Sequence, residues 1–349
     1  MAADEAGIRL ARIGWRGTLP SGRVARVVAQ HRAGYEVHDG AKVFPARVAG
    51  TFLKRGVDPL ERPAVGDFVH LAASDDEIVA VLPRRSLLTR AAAGERYARQ
   101  AIASNIDTVL VLTGLDGDFN PRRIERYLSL VEGSGARAVV LLTKADRTDD
   151  VTMRRDELIA RLPPQTPVLA INAKDTASVE KLSPWLQPGD TVVLVGSSGA
   201  GKSTLTNTLL GETRMATGKV RAHDSRGRHT TTHRALLPLP GGGCLIDTPG
   251  MRELKLTGEE NLDLFADIEA LAARCRFADC GHGGEPGCAI QGALEAGELS
   301  VERWHNYLKL RDERTQQAAT MEARLRRKAE DKAQGKALGR RLRDKYRRQ

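Results

Sequence analysis

The chain has 349 residues, 41% of them hydrophobic, and carries 54 Lys and Arg against 44 Asp and Glu, a formal net charge of +10. That is longer than one typical domain and apolar enough for several cores. No run of about twenty apolar residues occurs, which argues against a membrane role, and no signal-peptide pattern opens the sequence, so a cytoplasmic location is expected.

Residues 1–85 read as a small β-barrel of the OB-fold kind. Five short alternating segments, Arg23 to Val28, Tyr35 to Val37, Lys42 to Val48, Asp67 to Leu71 and Glu77 to Leu82, are separated by Gly, Asp and Pro turns. Such barrels bind nucleic acid through one face. Trp15, Tyr35, Phe44 and Phe68 could stack on bases, although a place in the barrel core suits them better. A basic connector, residues 86–105, follows as linker or binding surface.

Residues 106–256 alternate strands with helices, the pattern of a doubly wound α/β sheet. The strand Ile106 to Gly114 leads to a helix that Asn120 caps and Pro121 opens, with Ile124, Leu128 and Val131 facing inward. The next strand ends in Thr143-Lys144-Ala145-Asp146. A carboxylate at Asp146 can accept hydrogen bonds from guanine N1–H and the exocyclic amine, a pattern adenine does not offer. Lys144 would lay its stem over the ring, and Thr143, where many GTPases carry Asn, leaves a weaker or hydroxyl contact at the base edge. Asn172-Ala173-Lys174, after the strand PVLAI, suits a backbone turn against the same base.

The strand TVVLVG then runs into Gly196, Ser197, Ser198, Gly199, Ala200, Gly201, Lys202 and Ser203, a G-x-x-x-x-G-K-S loop, with Thr204 in the helix that continues to Gly211. The glycines let backbone N–H groups converge on phosphate at a helix N-terminus. Lys202 would reach the β- and γ-phosphates and Ser203 would ligate Mg2+. The hydroxyl-rich stretch Ser225 to Arg234 fits a first switch loop that supplies a threonine to Mg2+. In CLIDTPG, Asp247 can hold Mg2+ through water and the Gly250 N–H can sense the γ-phosphate. The bound ligand is thus expected to be GTP or GDP. The order is reversed relative to ordinary GTPases, because TKAD precedes the P-loop. The domain is circularly permuted, which a sheet survives when domain termini lie close together.

Residues 257–312 read as a helical zinc-binding domain. Cys275, Cys280, His282 and Cys288 follow C-x4-C-x-H-x5-C, three thiolates and an imidazole for one structural, tetrahedral Zn2+. The fourth cysteine, Cys244, lies in an apolar strand as a small buried residue. Ser300 is set to cap a helix bearing Val301, Trp304 and Leu308. Residues 313–349 are a basic helical tail: residues 321–349 hold 12 Lys and Arg against 4 Asp and Glu. Such a tail suits phosphate backbones.

The permuted order, the string GRHTTT, the DTPG turn and the cluster CRFADCGHGGEPGCAI together resemble the ribosome small subunit-dependent GTPase A (RsgA) family. The resemblance implies an OB-fold, a permuted GTPase and a zinc domain in one multidomain α/β chain. It also implies binding to the small ribosomal subunit and its rRNA during late maturation, with subunit-stimulated GTP hydrolysis by a monomer. It assigns His229 to positioning the attacking water, where Met251 stands in place of the usual glutamine, and Thr231 to Mg2+. The residues alone leave two other classes open: an RNA-binding module with GTP as a structural ligand, and a metabolic P-loop enzyme.

Overall fold

A computed structural model of the chain describes residues 2–31, 34–54, 57–91, 99–212, 235–247 and 263–346. A helix not anticipated from the sequence, α1 (Ala2–Ala11), comes first and buries Leu10. The strands β1 (Arg23–His31), β2 (Gly34–His38), β3 (Val43–Val48), β4 (Phe68–Leu71) and β5 (Glu77–Val81) follow, with a single helical turn, α2 (Gly50–Leu53), after β3. β1 pairs with both β2 and β4, β2 with β3, β3 with β5 in parallel, and β5 with β4. Five strands so paired have no free edge, and they close into the barrel expected from the sequence. Of its aromatic residues, Phe68 is buried and meets Trp15 edge to face at 4.9 Å, while Tyr35 and Phe44 pack on the barrel interior.

Within residues 86–105, the described residues 86–91 and 99–105 are not a plain linker. They fold as a hairpin of β6 (Leu87–Ala91) and β7 (Arg99–Ser104), because Leu88 and Ile102 point into the core from opposite strands.

The central sheet contains β8 (Thr108–Gly114), β9 (Arg137–Thr143), β10 (Val168–Ala170), β11 (Thr191–Gly196), β12 (Ala235–Pro238) and β13 (Cys244–Asp247), in the order β10-β9-β8-β11-β13-β12. All but β12 run parallel. Every residue of β8 and β11 is buried, as strands covered on both faces require. Alternation divides them: Val109 and Val111 face the core that holds α3 (Pro121–Glu132), while Leu110 and Leu112 face a second core with Leu205 and Leu210 of α6 (Lys202–Leu210). Helix α4 (Val151–Ile159) adds Leu158 to the first core, and the short α5 (Thr176–Val179) adds Val179 to the second. The cap at the start of α3 is as expected: the Arg123 N–H donates to the Asn120 side chain at 3.1 Å.

Barrel and sheet are continuous. After a bulge between Val27 and Ala29, β1 keeps pairing with β2 of the barrel while Ala29 also pairs with Ala235 of β12. Beneath this junction Arg26 is fully buried. Its guanidinium donates to the carbonyls of Ile13, Gly66 and Asn105 and to the Thr191 hydroxyl, and it lies 5.0 Å from the Phe68 ring centroid. Burial lowers its pKa to about 10, although Cys244, Asp107 and Asp67 nearby favour the charge. Gly14, at φ +93, is required here, since a Cβ would stand 2.5 Å from the Arg26 Nη1.

After a helical turn at Asp263–Phe265 come α7 (Ala266–Ala272), α8 (Ala289–Glu295) and the 46-residue α9 (Val301–Tyr346). Ser300 caps α9 through the Arg303 N–H at 3.1 Å. Trp304, Tyr307 and Leu310 are buried on one face of α9, and beyond Leu310 no side chain among the described residues is buried. None of the helices is long and apolar enough to cross a membrane among the described residues.

Helix α9 is held to α3 by charge. The Glu125 carboxylate, with no exposed surface, accepts from Arg161 Nε and Arg303 Nη1, both at 3.0 Å, and from Asn306 Nδ2. Arg303 also reaches Asp267 at 2.9 Å and the Leu264 carbonyl at 3.1 Å. Arg122 with Glu302 and Arg126 with Glu313 continue the seam. Removing one partner of a buried ionic group leaves the others unpaired. Glu125→Ala is expected to destabilise the chain by about 3 kcal/mol, the low end for such losses because Arg303 keeps Asp267. Urea unfolding followed by Trp304 fluorescence measures this.

Candidate nucleotide site and metal centre

Parallel register places the strand ends of the central sheet beside one another. Gly114 pairs with Thr143, Gly196 with Leu112, and Ala170 with Leu142. The loops after β8, β9, β10 and β11 consequently share one crevice at the C-terminal edge, where open α/β sheets bind ligands.

The P-loop owes its path to glycine. Gly196 has φ +151, and a Cβ on it would approach the Leu112 carbonyl oxygen to 2.4 Å. Gly201, at φ +95, precedes α6 as its N-cap and aims the first turn at the loop. Lys202 Nζ donates to the carbonyls of Gly196 at 2.7 Å and Ser197 at 2.6 Å, so its ammonium is folded across the loop. Ser198 and Gly199 are exposed, Ala200 is buried, and Ser203 and Thr204 are half-buried on the first turn of α6.

Thr143 is placed differently from expectation. Its side chain is fully buried, and its hydroxyl lies 2.7 Å from the Ala200 carbonyl and 3.2 Å from that of Thr113. It ties β9 to the P-loop instead of presenting a hydroxyl to a base. Lys144 has left-handed backbone, φ +60, and its ammonium bonds Asp116 at 2.6 Å. Ala145 donates its N–H to the Ile171 carbonyl at 3.3 Å, joining the two base-side loops. Asp146 is exposed, and among the described residues its carboxylate has no hydrogen-bond partner.

In the next loop the Asn172 side chain accepts from the Lys174 N–H at 3.0 Å, and the Ala173 carbonyl accepts from the Thr208 hydroxyl at 2.6 Å. That turn therefore rests on α6, and Lys174 is exposed. Asp247 ends β13, half-buried, opposite Ala235. His229, Thr231, the remainder of Ser225 to Arg234, Gly250 and Met251 lie outside the described residues.

Sequence reasoning passed over two carboxylates in this crevice. Asp116 and Asp118 sit between β8 and α3. Asp118 accepts from the Ser197 hydroxyl, from Arg123 and, at 3.3 Å, from the Gly114 N–H. Desolvation pushes the Asp116 carboxyl up, but hydrogen bonds from Lys144 and the Asp118 N–H outweigh it and leave the net shift downward. A pair of Asp residues immediately beyond a buried parallel strand was the available signal.

The four zinc-type residues also converge. One ligand atom from each of Cys275, Cys280, His282 and Cys288 lies within 4.8 Å of the others. His282 Nδ1 is 3.5 Å from the sulfurs of both Cys275 and Cys288, and those sulfurs are 4.0 Å apart. A tetrahedral Zn2+ with ordinary bond lengths implies roughly 3.8 Å between sulfurs and roughly 3.6 Å from sulfur to nitrogen, so the donor set fits the ion. A disulfide needs about 2.05 Å and is not formed. Desolvation raises the Cys275 thiol, yet the Ala289 and Ile290 N–H groups bring it down overall, toward the thiolate that a metal takes.

The surroundings fix the ligands. The Gln291 side chain donates to the His282 carbonyl at 2.6 Å, the imidazole meets Trp304 edge to face at 5.6 Å, and Glu285 accepts from the N–H groups of Gly281 and Gly283 at 2.9 and 2.7 Å. Cys244 is buried elsewhere, in β13.

The family model described as RsgA GTPase matches residues 81–257. The chain is 56% identical over 325 residues to the small ribosomal subunit biogenesis GTPase RsgA of Xanthomonas axonopodis pv. citri (strain 306), covering 90% of this chain and 87% of the relative. It is 55% identical over 322 residues to the protein of the same name from Xanthomonas oryzae pv. oryzae (strain MAFF 311018), at the same coverage. Among solved structures, YjeQ from Thermotoga maritima is similar at a TM-score of 0.60 and 26% identity, over 84% of this chain and 98% of its own. YloQ, described as a circularly permuted GTPase, gives 0.56 and 25%, over 84% and 95%. An identity above one half along nine tenths of the chain, together with the permuted sheet, means that this protein belongs to the RsgA GTPase family.

Proposed function

We propose that the chain hydrolyses GTP during late maturation of the small ribosomal subunit, in the cytoplasm and as a monomer, and that binding the subunit's rRNA stimulates the reaction. What chiefly supports this is that the loops carrying Asp146 and Lys202, far apart in sequence, leave the same edge of one parallel sheet in a chain whose relatives are named for small-subunit biogenesis. Asp146 reads guanine, Lys144 covers the ring, and the Asn172 to Lys174 turn contributes backbone groups, with Thr143 and Ala145 holding these loops in place. Residues Gly196 to Thr204 cradle the phosphates, with Lys202 on the β- and γ-oxygens. Ser203 and Thr231 would hold Mg2+, with Asp247 contacting it through water, and the ion neutralises charge on the transferred phosphoryl group. Gly250 senses the γ-phosphate, and His229 orients the attacking water.

The division of labour follows the sequence boundaries: residues 1–85 as the barrel, 86–105 between, 106–256 for GTP, 257–312 for zinc and 313–349 as the tail. The Cys275, Cys280, His282 and Cys288 site holds one structural Zn2+, and the barrel and the basic tail offer surfaces for rRNA.

Phosphate release from GTP and ATP, with and without purified small subunits, tests base choice, catalysis and partner together. Turnover is expected with GTP only and to rise on adding subunits. His229→Ala is expected to reduce the stimulated rate about a hundredfold while leaving GTP affinity unchanged. Full stimulated turnover in that variant overturns the assignment of His229.

A further inference from the structure

The loop from Leu115 to Asn120 touches both ends of the crevice. At one end Asp116 Oδ2 is 2.6 Å from Lys144 Nζ. At the other Asp118 Oδ2 accepts from the Ser197 hydroxyl, inside the P-loop. Each carboxylate already has a cation, Lys144 or Arg123, so the loop is not a metal site. Its backbone is fixed as well: the Thr113 hydroxyl donates to the Asp118 carbonyl at 3.1 Å, and the Asp118 N–H donates to Asp116 at 3.2 Å.

Gly114 is where these contacts cross. A Cβ there would lie 2.5 Å from Asp116 Oδ1 and 3.0 Å from Lys144 Nζ, so the ion pair is packed directly on the backbone of the strand end. Lys144 adopts a left-handed conformation uncommon outside glycine, and Asp116 is the carboxylate that meets its ammonium.

We propose that Asp116 and Asp118 are positioning residues for the nucleotide: Asp116 aims Lys144 along the base plane, and Asp118 pins Ser197 so that the phosphate loop stays open in its binding shape. The proposal rests on the site reading given above. Neither carboxylate touches the reacting phosphoryl group, so both act on affinity and neither on the chemical step. A free Lys144 samples many rotamers and must be ordered when the base arrives, whereas the paired side chain is already ordered. Asp118 limits the P-loop in the same way through a hydroxyl that would otherwise rotate.

The test is equilibrium binding of fluorescent GDP and GTP to the full chain, with turnover at saturating GTP measured in parallel. Asp116→Ala is expected to weaken both nucleotides equally, about three- to tenfold, and to add less than twofold in a Lys144→Ala background, as partners in one contact do. Asp116→Asn, which still accepts from the ammonium, is expected to recover most of the loss. Asp118→Ala and Ser197→Ala are expected to match one another and to be non-additive. In the Asp116 and Asp118 variants subunit-stimulated turnover at saturation stays as in the unaltered chain.

Additive losses, affinities within twofold of the unaltered chain, or reduced turnover at saturation each overturn the proposal. Asp146→Asn and Lys202→Ala serve as controls. If they too bind GTP normally, the site reading falls and takes the proposal with it. If only the Asp116 and Asp118 variants are silent, the loop proposal falls alone.

Discussion

Replacing Cys288 with serine is expected to abolish stoichiometric zinc and to unfold the lobe built from α7, α8 and the start of α9. Three donors remain, but a hydroxyl is a poor zinc ligand, and metal affinity should fall by about a hundredfold or more, beyond what loss of an outer partner costs. The consequence is structural because the stretch that carries the ligands has no regular element of its own. The stretch between Cys275 and Ala289 contains no regular helix or strand, and Cys288 is also the N-cap of α8, accepting from the Gln291 N–H at 3.5 Å. His282 holds a positive φ of 59°, a conformation that persists only where its surroundings enforce it.

Without the ion, His282 loses its reason to stand against Trp304, and the contact between Trp304 and Tyr307, stacked at 5.6 Å, loses one wall. The checks are zinc content by elemental analysis and Trp304 fluorescence during chelator titration. Binding to small subunits should fall in parallel, while affinity for GDP, read out in the central sheet, should change little. Retention of one zinc per chain in the variant would contradict the ligand set.

The second large effect is at Lys202. Lys202→Ala is expected to lower subunit-stimulated GTP hydrolysis at least about a thousandfold, near 4 kcal/mol of transition-state stabilisation. Charge develops on the phosphoryl oxygens as the bond breaks, and an ammonium turned from the loop carbonyls onto those oxygens stabilises it. That ammonium donates to the carbonyls of Gly196 and Ser197 within its own loop. Folding should be little affected, since the lysine is part-exposed and donates to two carbonyls of its own loop. Thermal melts of the nucleotide-free protein separate the two effects. A variant that keeps a third of the stimulated rate would remove Lys202 from the site.

Local motifs were legible wherever a backbone conformation or a fixed ligand spacing demanded a residue type. Gly196 and Gly201 are required by left-handed or crowded backbone, Asn120 and Ser300 by exposed helix N–H groups, and the Cys and His spacing brings four donors to a distance that one tetrahedral ion fits. Barrel strands were readable from alternation, and the buried strands β8 and β11 from continuous apolar runs. The hairpin of β6 and β7 was not, because only Leu88, Ile102 and their neighbours carry its burial amid arginine and alanine. The direction of Thr143 was hidden for a related reason: the motif names a residue at the base, while its hydroxyl is taken by a P-loop carbonyl 57 positions away.

The sequence by itself determined which chemistry-bearing groups this protein has: a glycine-rich loop ending in Lys202 and Ser203, a carboxylate at Asp146 suited to guanine, a Cys3His quartet spaced for one metal ion, a basic tail and the permuted order in which they occur. Only the tertiary structure decided which of these groups meet. Parallel register brings the loops that carry Asp146 and Lys202 to the same edge of the sheet, Arg26 joins barrel to sheet with no solvent contact, and Glu125 pairs with Arg303 across 178 positions to seat the C-terminal helices on α3. Periodicity reports which face of an element is buried, because that depends on its own side chains. It carries no information about the distant partner that a buried charge will find, since that partner is selected by how whole elements pack.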